Sequence, residues 1–535
     1  MLILGIDTGG TYTDGIIMDR DSKKILCTAK ALTTPAGLAE GIRNCILSMN
    51  FQKWDQIGMV SLSTTLATNA IVEGKGGRVG LILMGDRPKG DIPAEYIVTL
   101  DGRLDIRGGV SKPLDVRQCR EQTGKLAGIC DAVAISGYAS VRNPAMENQA
   151  AEIAVEELGL PVVCAHELTG ALGFYERTVT AVLNARLLPL IKNLIQAVDR
   201  VLRELKVQAP VMIVRGNGSL MRADYAAERP VETILSGPAA SVIGASFLSG
   251  YENCMVADMG GTTTDIAFLE DGRCTAVEKG AYLAGWKTCV KALDICTFGL
   301  GGDSEIRKNK EGALQIGPRR VIPFCREGSR DRKTGLTPTD ILHITGEYVQ
   351  WDREKAREGL KKTFPETAMY ETARFLEKKI SEYLAQYCRE SIRICKKEET
   401  NVLVGVGAPA GVWINKAARS MGITAEVPEY AEVANAIGAA AAKVTEHAEV
   451  LIRRNKLNYS YYIYTEKNRL HALSLEEALA AARKSAAEYA AEKAKKAGAL
   501  NVKIEMTEQE KKSQNNDFIE YRLSATATGY PFYSI

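Results

Sequence analysis

Two octapeptides carry the side chains best suited to chemistry: "DTGGTYTD" at residues 7–14 and "DMGGTTTD" at residues 258–265. Six of their eight positions agree, at an offset of 251 residues. Paired glycines let backbone N–H groups close around an anion and form a concave nest. Threonine hydroxyls add donors, and a carboxylate at a strand end can hold Mg²⁺ through water. A single Gly-Gly-Thr turn says little, because most are plain hairpins. A repeated pair that keeps both aspartates points to two loops clamping a polyphosphate from opposite sides. Asp7 and Asp258 are then the catalytic and metal-holding candidates. Thr8, Gly9, Gly10, Thr11, Thr13, Gly260, Gly261, Thr262 and Thr263 are the phosphate-binding ones. The competing reading makes each aspartate an Asx turn that only shapes a hairpin. Asp14 and Asp265 could equally anchor the threonines.

The elements that must position these loops are legible around them. Each octapeptide follows an apolar run (Leu2–Ile6; Met255–Ala257) and precedes another (Gly15–Met18; Ile266–Leu269). That pattern predicts a β-hairpin whose tight turn is the D-x-G-G-T-x-T-D loop. Repetition of the unit implies two copies of one α/β domain facing each other. A third element, "NVLVGVGAPAG" (401–411), is an apolar strand entering a Gly-rich turn and then a helix. Gly405, Gly407 and Gly411, with Ala408, leave bare backbone on which a flat ring such as adenine could lie. "EVANAIGAAAAKV" (432–444) is a small-residue helix able to pack closely against another backbone. "STTLATNA" (63–70) offers Ser63, Thr64, Thr65, Thr68 and Asn69 at the end of a predicted strand, as hydrogen-bond partners for a polar substrate or as a helix cap. "RGNGSLM" (215–221) places Asn217 at a turn after a strand. "SGPAASVIGA" (236–245) reads as a helix with Ser236 as its N-cap, and such a helix start can bind an anion.

A chain of 535 residues is too long for one core, so two to four domains are expected. The net charge of +3 gives no support for a nucleic-acid partner. The opening "MLILGIDTGG" reads as a buried strand with no signal-peptide features, and no run approaches ~18 apolar residues, so no membrane partner is expected. Twelve cysteines lack any C-x-x-C pair, and many fall in apolar stretches, as Cys27, Cys164 and Cys254 do, which suits reduced thiols and a cytoplasmic location. Four histidines (166, 343, 447 and 471) form no zinc-binding spacing. After about residue 450 the chain turns to an alternating "LNYSYYIY", an Ala-rich helix from Leu475 to Lys496 and further strand-like runs, a small α+β unit.

The order of first loop, second loop and nucleoside turn resembles the actin, sugar-kinase and heat-shock chaperone ATPase superfamily. More narrowly, the chain is similar to the hydantoinase A/5-oxoprolinase family, to which an acetone carboxylase subunit is also related. "STTLATNAIVEGKGGRVGLI" (63–82), "ERTVTAVLNARLLP" (176–189), "ETILSGPAASVIGA" (232–245), "DMGGTTTDIAFLEDG" (258–272) and "LDICTFGLGGDSEI" (293–306) carry that likeness. It implies an α/β fold of two repeated ribonuclease H-like (actin-like ATPase) domains around a nucleotide cleft, with a small C-terminal α+β appendix. The boundaries are 1–178, 179–450 and 451–535. It implies ATP and Mg²⁺ as cofactors. The activity would be an ATP-dependent hydrolase that phosphorylates an amide or carbonyl oxygen of a lactam, hydantoin or carbonyl compound. Thr64, Thr65, Asn69, Asn217 and Ser236 would stand on the substrate side, and Gly301 and Gly302 beside the nucleotide. Relatives usually carry an acidic residue at 217, a histidine at 296 and a glycine at 303, where this chain has Asn217, Cys296 and Asp303. Asp303 would be tolerable near phosphates only by helping to hold Mg²⁺. The alternatives are a reactivating, chaperone-like ATPase acting on a protein partner, or an ATP-using subunit of a carboxylase-type complex. A second subunit fits each reading, and the oligomeric state is open.

Overall fold

The computed structural model describes residues 1–535 except 11, 34–37, 278, 327–332, 366, 399, 456–459, 466, 513–517 and 532–535. It is a mixed α/β protein whose two largest mixed sheets repeat one pattern. In the first, Leu2–Thr8 pairs antiparallel with Tyr12–Asp19 and parallel with Ile57–Thr64. Lys24–Leu32 extends the hairpin side, and Val211–Val214 runs parallel beside Ile57–Thr64. In the second, Cys254–Met259 pairs antiparallel with Thr264–Glu270 and parallel with Val402–Val406, which is followed by a parallel Thr424–Glu426. Cys296–Phe298 takes the outer position against Thr264–Glu270. The central strands are apolar without alternation because both sheet faces are covered. Leu4, Ile6 and Ile17 pack with Ile42, Leu194 and Val198 on one face, while Ile3 and Ile16 pack with Ala436 and Ile437 on the other.

Two further sheets complete the chain. A parallel one has the order Val162–Cys164, Ala132–Gly137, Val79–Met84, Tyr96–Leu100. An antiparallel one joins Arg469–Ala472, Tyr461–Tyr464, Val444–Arg454, Phe518–Tyr530 and Asn501–Lys512. The Leu475–Lys496 helix lies on it through Ala478, Ala482, Ala486, Ala490 and Ala494, all buried. A spacing of four puts those alanines on one face, and with no side chain beyond Cβ they let the helix lie close.

The 31-residue helix Phe174–Glu204 is, among the described residues, the one long and apolar enough to cross a membrane, and 61% of its most apolar window is buried inside the protein. It is a girder. Arg177 donates to the carbonyls of Gly137, Ala171 and Leu172. Thr180 accepts from the backbone N–H of Cys289, and Asn184 from that of Val231. The "ERTVTAVLNA" motif therefore ties the parallel sheet to the segments around it.

The helices Ser236–Ser249 and Ala434–Ala441 cross backbone on backbone. A Cβ on Gly244 would lie 2.0 Å from the Ala434 carbonyl oxygen, and one on Gly438 would lie 1.8 Å from that of Ala240. Ala434–Ala441 also rests on the first sheet, where a Cβ on Gly5 would lie 2.2 Å from the Ala436 oxygen. The small-residue stretch is thus the contact that brings the two sheets together.

Candidate functional site

Both octapeptides are hairpins, and they superpose in register. Asp7 pairs with Asp14 and Thr8 with Thr13; Asp258 pairs with Asp265 and Met259 with Thr264. The turns close identically, Gly9 N–H donating to Tyr12 O at 3.0 Å and Gly260 N–H to Thr263 O at 2.9 Å. Thr11 lies outside the described residues. Neither lead aspartate serves as an Asx turn. Asp7 accepts from the Ser63 hydroxyl at 2.6 Å and from the Asn435 side-chain amide at 3.4 Å. Asp258 is hydrogen-bonded to the Ser241 hydroxyl, and Ser241 Oγ is 2.5 Å from Asn435 Oδ1. Of the outer aspartates, Asp14 is paired with Lys30 at 2.5 Å, and Asp265 accepts from Thr297 at 2.6 Å.

Burial pushes the Asp7 carboxyl up to about 7, with the negative charge of Asp14 adding to it. Asp258 is likewise pushed up to about 7, first by burial and then by Asp265, with Asp7 and Asp14 of the other hairpin contributing. Burial raises Asp265 to about 6. These acids hold protons more tightly folded than unfolded, where the ordinary value is 3.8. Between pH ~4 and ~7 the folded chain therefore binds more protons, and this contribution to stability is lost as pH rises through that window. The ligand-free chain is expected to melt at a lower temperature at pH ~7.5 than at pH ~5 through this term. Asp258→Asn, permanently neutral, should flatten that slope and gain on the order of 1–3 kcal/mol at the higher pH. Thermal melts of the two proteins across pH check it; an equally steep slope in Asp258→Asn would contradict it.

The Ser63–Ala70 segment lies beside the first loop. Thr65 N–H donates to Thr8 O at 3.2 Å, and Asn69 donates to Thr65 Oγ1 at 3.2 Å. A Cβ on Gly10 would sit 3.5 Å from the Asn69 amide nitrogen. Ser236 is not the N-cap of its helix: Leu235, in the left-handed region at φ 59°, holds that position. The Ser236 hydroxyl instead donates to Thr64 O at 2.8 Å, fastening the helix start to the strand that carries Ser63. Thr64, Thr65, Asn69 and Ser236 thus share one corner beside Asp7.

Gly301 and Gly302 brace the second loop. Gly302 N–H donates to Gly260 O at 3.0 Å and Asp303 N–H to Gly261 O at 2.7 Å. A Cβ on Gly301 would lie 2.5 Å from Thr262 N, so only glycine fits. The Asp303 carboxylate is offset by Arg320 at 3.1 Å, which gives its charge a partner within the protein. Asn217 folds back on its own turn, accepting from Ser219 N–H at 3.0 Å and from the Ser219 hydroxyl at 2.8 Å. Cys296 Sγ lies 3.5 Å from Cys395 Sγ.

A cleft of about 410 Å³ opens at the 401–411 turn, lined by Gly407, Ala408, Gly411 and Val427 through Glu432. Its glycines differ in role. Gly411 has open space where a Cβ would stand. A Cβ on Gly405 would instead lie 2.6 Å from the Ile414 side chain, so this glycine lets the following helix approach its strand. A Cβ on Gly407, at φ 95°, would lie 2.3 Å from Met259 O and 2.8 Å from Asp258 Oδ1, so this glycine seats the second aspartate.

Among the described residues one group offers mixed metal-ligand types, Glu147, Cys164 and His166. Its carboxylate already accepts from Gly137 N–H at 2.7 Å, from His166 N–H at 3.1 Å and from the His166 ring. These bonds hold Glu147 and His166 as a buried pair.

The signals for Ser241 and Asn435 were present but unread. Ser241 lies inside "SGPAASVIGA" and Asn435 is the polar residue in an alanine-rich helix, and only the crossing of those helices reveals their partners.

Residues 177–448 match the hydantoinase/oxoprolinase family, and residues 3–158 match that family's N-terminal region. The chain is 32% identical over 361 residues to the caprolactamase subunit alpha of Pseudomonas jessenii, covering 59% of this chain and 50% of that protein. It is 29% identical over 394 residues to the acetophenone carboxylase gamma subunit of Aromatoleum aromaticum, covering 63% and 52%. It therefore spans about half the length of these relatives. The nucleotide-free structure of acetone carboxylase shares the fold across 99% of this chain and 88% of its own, with a TM-score of 0.76 at 20% identity. Mirrored glycine hairpins, the family match over more than half the chain and the shared fold lead to one assignment: this chain belongs to the hydantoinase/oxoprolinase family.

Proposed function

We propose that the two halves are ribonuclease H-like, actin-type ATPase domains, and that the chain uses Mg–ATP to phosphorylate the amide oxygen of a small cyclic amide. The observation that carries this reading is the pair of mirrored hairpins whose lead aspartates are joined through Ser241 and Asn435. Two buried carboxyls are raised to about 7, Asp7 by burial and the charge of Asp14, and Asp258 by burial and the charges of Asp265, Asp7 and Asp14. They are a fit for a divalent cation, whose charge would relieve that repulsion. Asp7 and Asp258 would hold Mg²⁺, which would supply neutralisation of the phosphoryl charge. The chain's own work is positioning. Glycine-loop N–H groups donate to the phosphates, and the cleft at Gly407–Gly411 takes the nucleoside. The Thr64–Asn69 corner orients the substrate beside the first loop. The amide oxygen attacks the γ-phosphorus as the bond to the ADP oxygen breaks. Water then adds at the activated carbon, and the amine departs with a proton as the C–N bond opens to leave an acyl phosphate. A second water releases phosphate and the carboxylate.

A caprolactamase subunit among the relatives supports a cyclic amide, and the subunit names of both relatives support a partner chain that completes the reaction. The acetophenone carboxylase relative supports the second reading, an ATP-using carboxylase subunit. ADP release should be assayed against lactams, hydantoins, 5-oxoproline and ketones with bicarbonate, for the chain alone and with co-purifying protein. Stimulation by a cyclic amide is expected. Stimulation confined to ketone plus bicarbonate would favour the carboxylase reading, and stimulation by protein alone the chaperone-like one.

Gly411→Leu is expected to weaken nucleotide binding at least tenfold, ~1.4 kcal/mol, because its side chain would enter the open cleft. Titration of ATP into the folded variant checks this, and unchanged affinity would remove the cleft from the site.

A further inference from the structure

The crossing of Ser236–Ser249 and Ala434–Ala441 is built from glycine and alanine, yet a serine and an asparagine stand in it. Glycine at 244 and 438 brings the backbones together, and that closeness sets Ser241 Oγ 2.5 Å from Asn435 Oδ1. At its other end the Asn435 amide points to Asp7, 3.4 Å away, and Ser241 bonds to Asp258. With one hydrogen on the Ser241 hydroxyl, this run of side chains is a continuous hydrogen-bonded chain from one hairpin's aspartate to the other's when one of the two aspartates carries a proton. Asparagine suits the central place because it presents a donor and an acceptor on opposite corners of one planar group.

We propose that Asn435 and Ser241 are positioning residues that join Asp7 and Asp258 into one unit, so that metal and nucleotide engage both halves together. This rests on the Mg–ATP reading above. Ser63 supports the same arrangement from the first sheet, holding the other oxygen of Asp7 at 2.6 Å. A two-link connection has a distinctive signature: cutting either link cuts it completely. Losses from Asn435 and Ser241 variants should therefore not add.

The test needs neither substrate nor partner. ATP affinity of the full chain is titrated against Mg²⁺ for wild type, Asn435→Leu, Ser241→Ala and the double variant, with melting temperature measured on each. Asn435→Leu keeps roughly the side chain's size without its polar atoms and Ser241→Ala removes only a hydroxyl, and Asn435→Ala serves if the leucine variant does not fold. The half-saturating Mg²⁺ concentration is expected to rise at least fivefold in each single variant, with the double no worse than the worse single. A purely packing role would lower the melting temperature and leave the Mg²⁺ requirement unchanged; that result overturns the proposal, as do additive losses. Wild type that fails to bind Mg–ATP would overturn the nucleotide reading and this inference together. Wild-type binding with unaltered variants overturns this inference alone.

Discussion

Replacing Asp7 or Asp258 by alanine is expected to lower ATP turnover by ~10²–10⁴, several kcal/mol of transition-state stabilisation. Each carboxylate ends a central strand at the same register position of a mirrored hairpin, and each is fixed by a hydroxyl donor. Asp258→Asn sharpens the test. It should fold, melt higher than wild type near neutral pH for the proton-linkage reason given above, and still lose turnover. A more stable but inactive protein cannot be explained by unfolding. The assay is steady-state ADP release with the best substrate found, and near-normal rates in both folded alanine variants would sink the clamp.

Gly438→Val is expected to be the most damaging substitution for the fold itself. Its Cβ would lie 1.8 Å from Ala240 O and 2.8 Å from Gly244 N, both backbone atoms of a packed helix. Neither can yield without moving the helix that carries Ser241, so a loss above ~3 kcal/mol or failure to fold is expected. Gly124→Ala is the control. It ends a surface helix with nothing within 4 Å of the added Cβ, and should be neutral or slightly stabilising. Melting curves of both variants beside wild type decide the matter; a normal melt for Gly438→Val would mean the crossing is looser than described.

How far the residues announce this arrangement depends on the range of the interaction. The hairpins were legible because a glycine turn between apolar runs is a local device, and its repetition excludes coincidence. The small-residue helix was legible for the same reason, since glycine and alanine in a periodic run suit close approach. Ser236 was misread as a cap: the neighbouring Leu235 takes the left-handed turn, and a capping signature cannot show that the hydroxyl has a better partner in Thr64. Gly407, expected to leave room for a ligand, lines the cleft, and a Cβ there would also meet Met259 and Asp258, a second demand that the sequence does not show. Asn217 and Asp303 depart from the family pattern, and each has an oxygen bonded to a neighbour, Ser219 or Arg320. Such choices between equally polar partners are made by tertiary register, which no window of residues contains.

The alanine face of Leu475–Lys496 bears on how this chain can be divided. Its alanines share one apolar body with Met18, Met212 and Met221 of the first sheet, and Arg222 N–H bonds Ala497 O at 2.9 Å. The last strands and helix are therefore a roof over the first mixed sheet and not a pendant. A fragment ended at residue 443 would bare those methionines to water as a contiguous sticky surface. A minimal catalytic piece cannot be harvested by trimming the tail, and any graft of this C-terminal unit onto another protein would need to bring its ceiling contacts along.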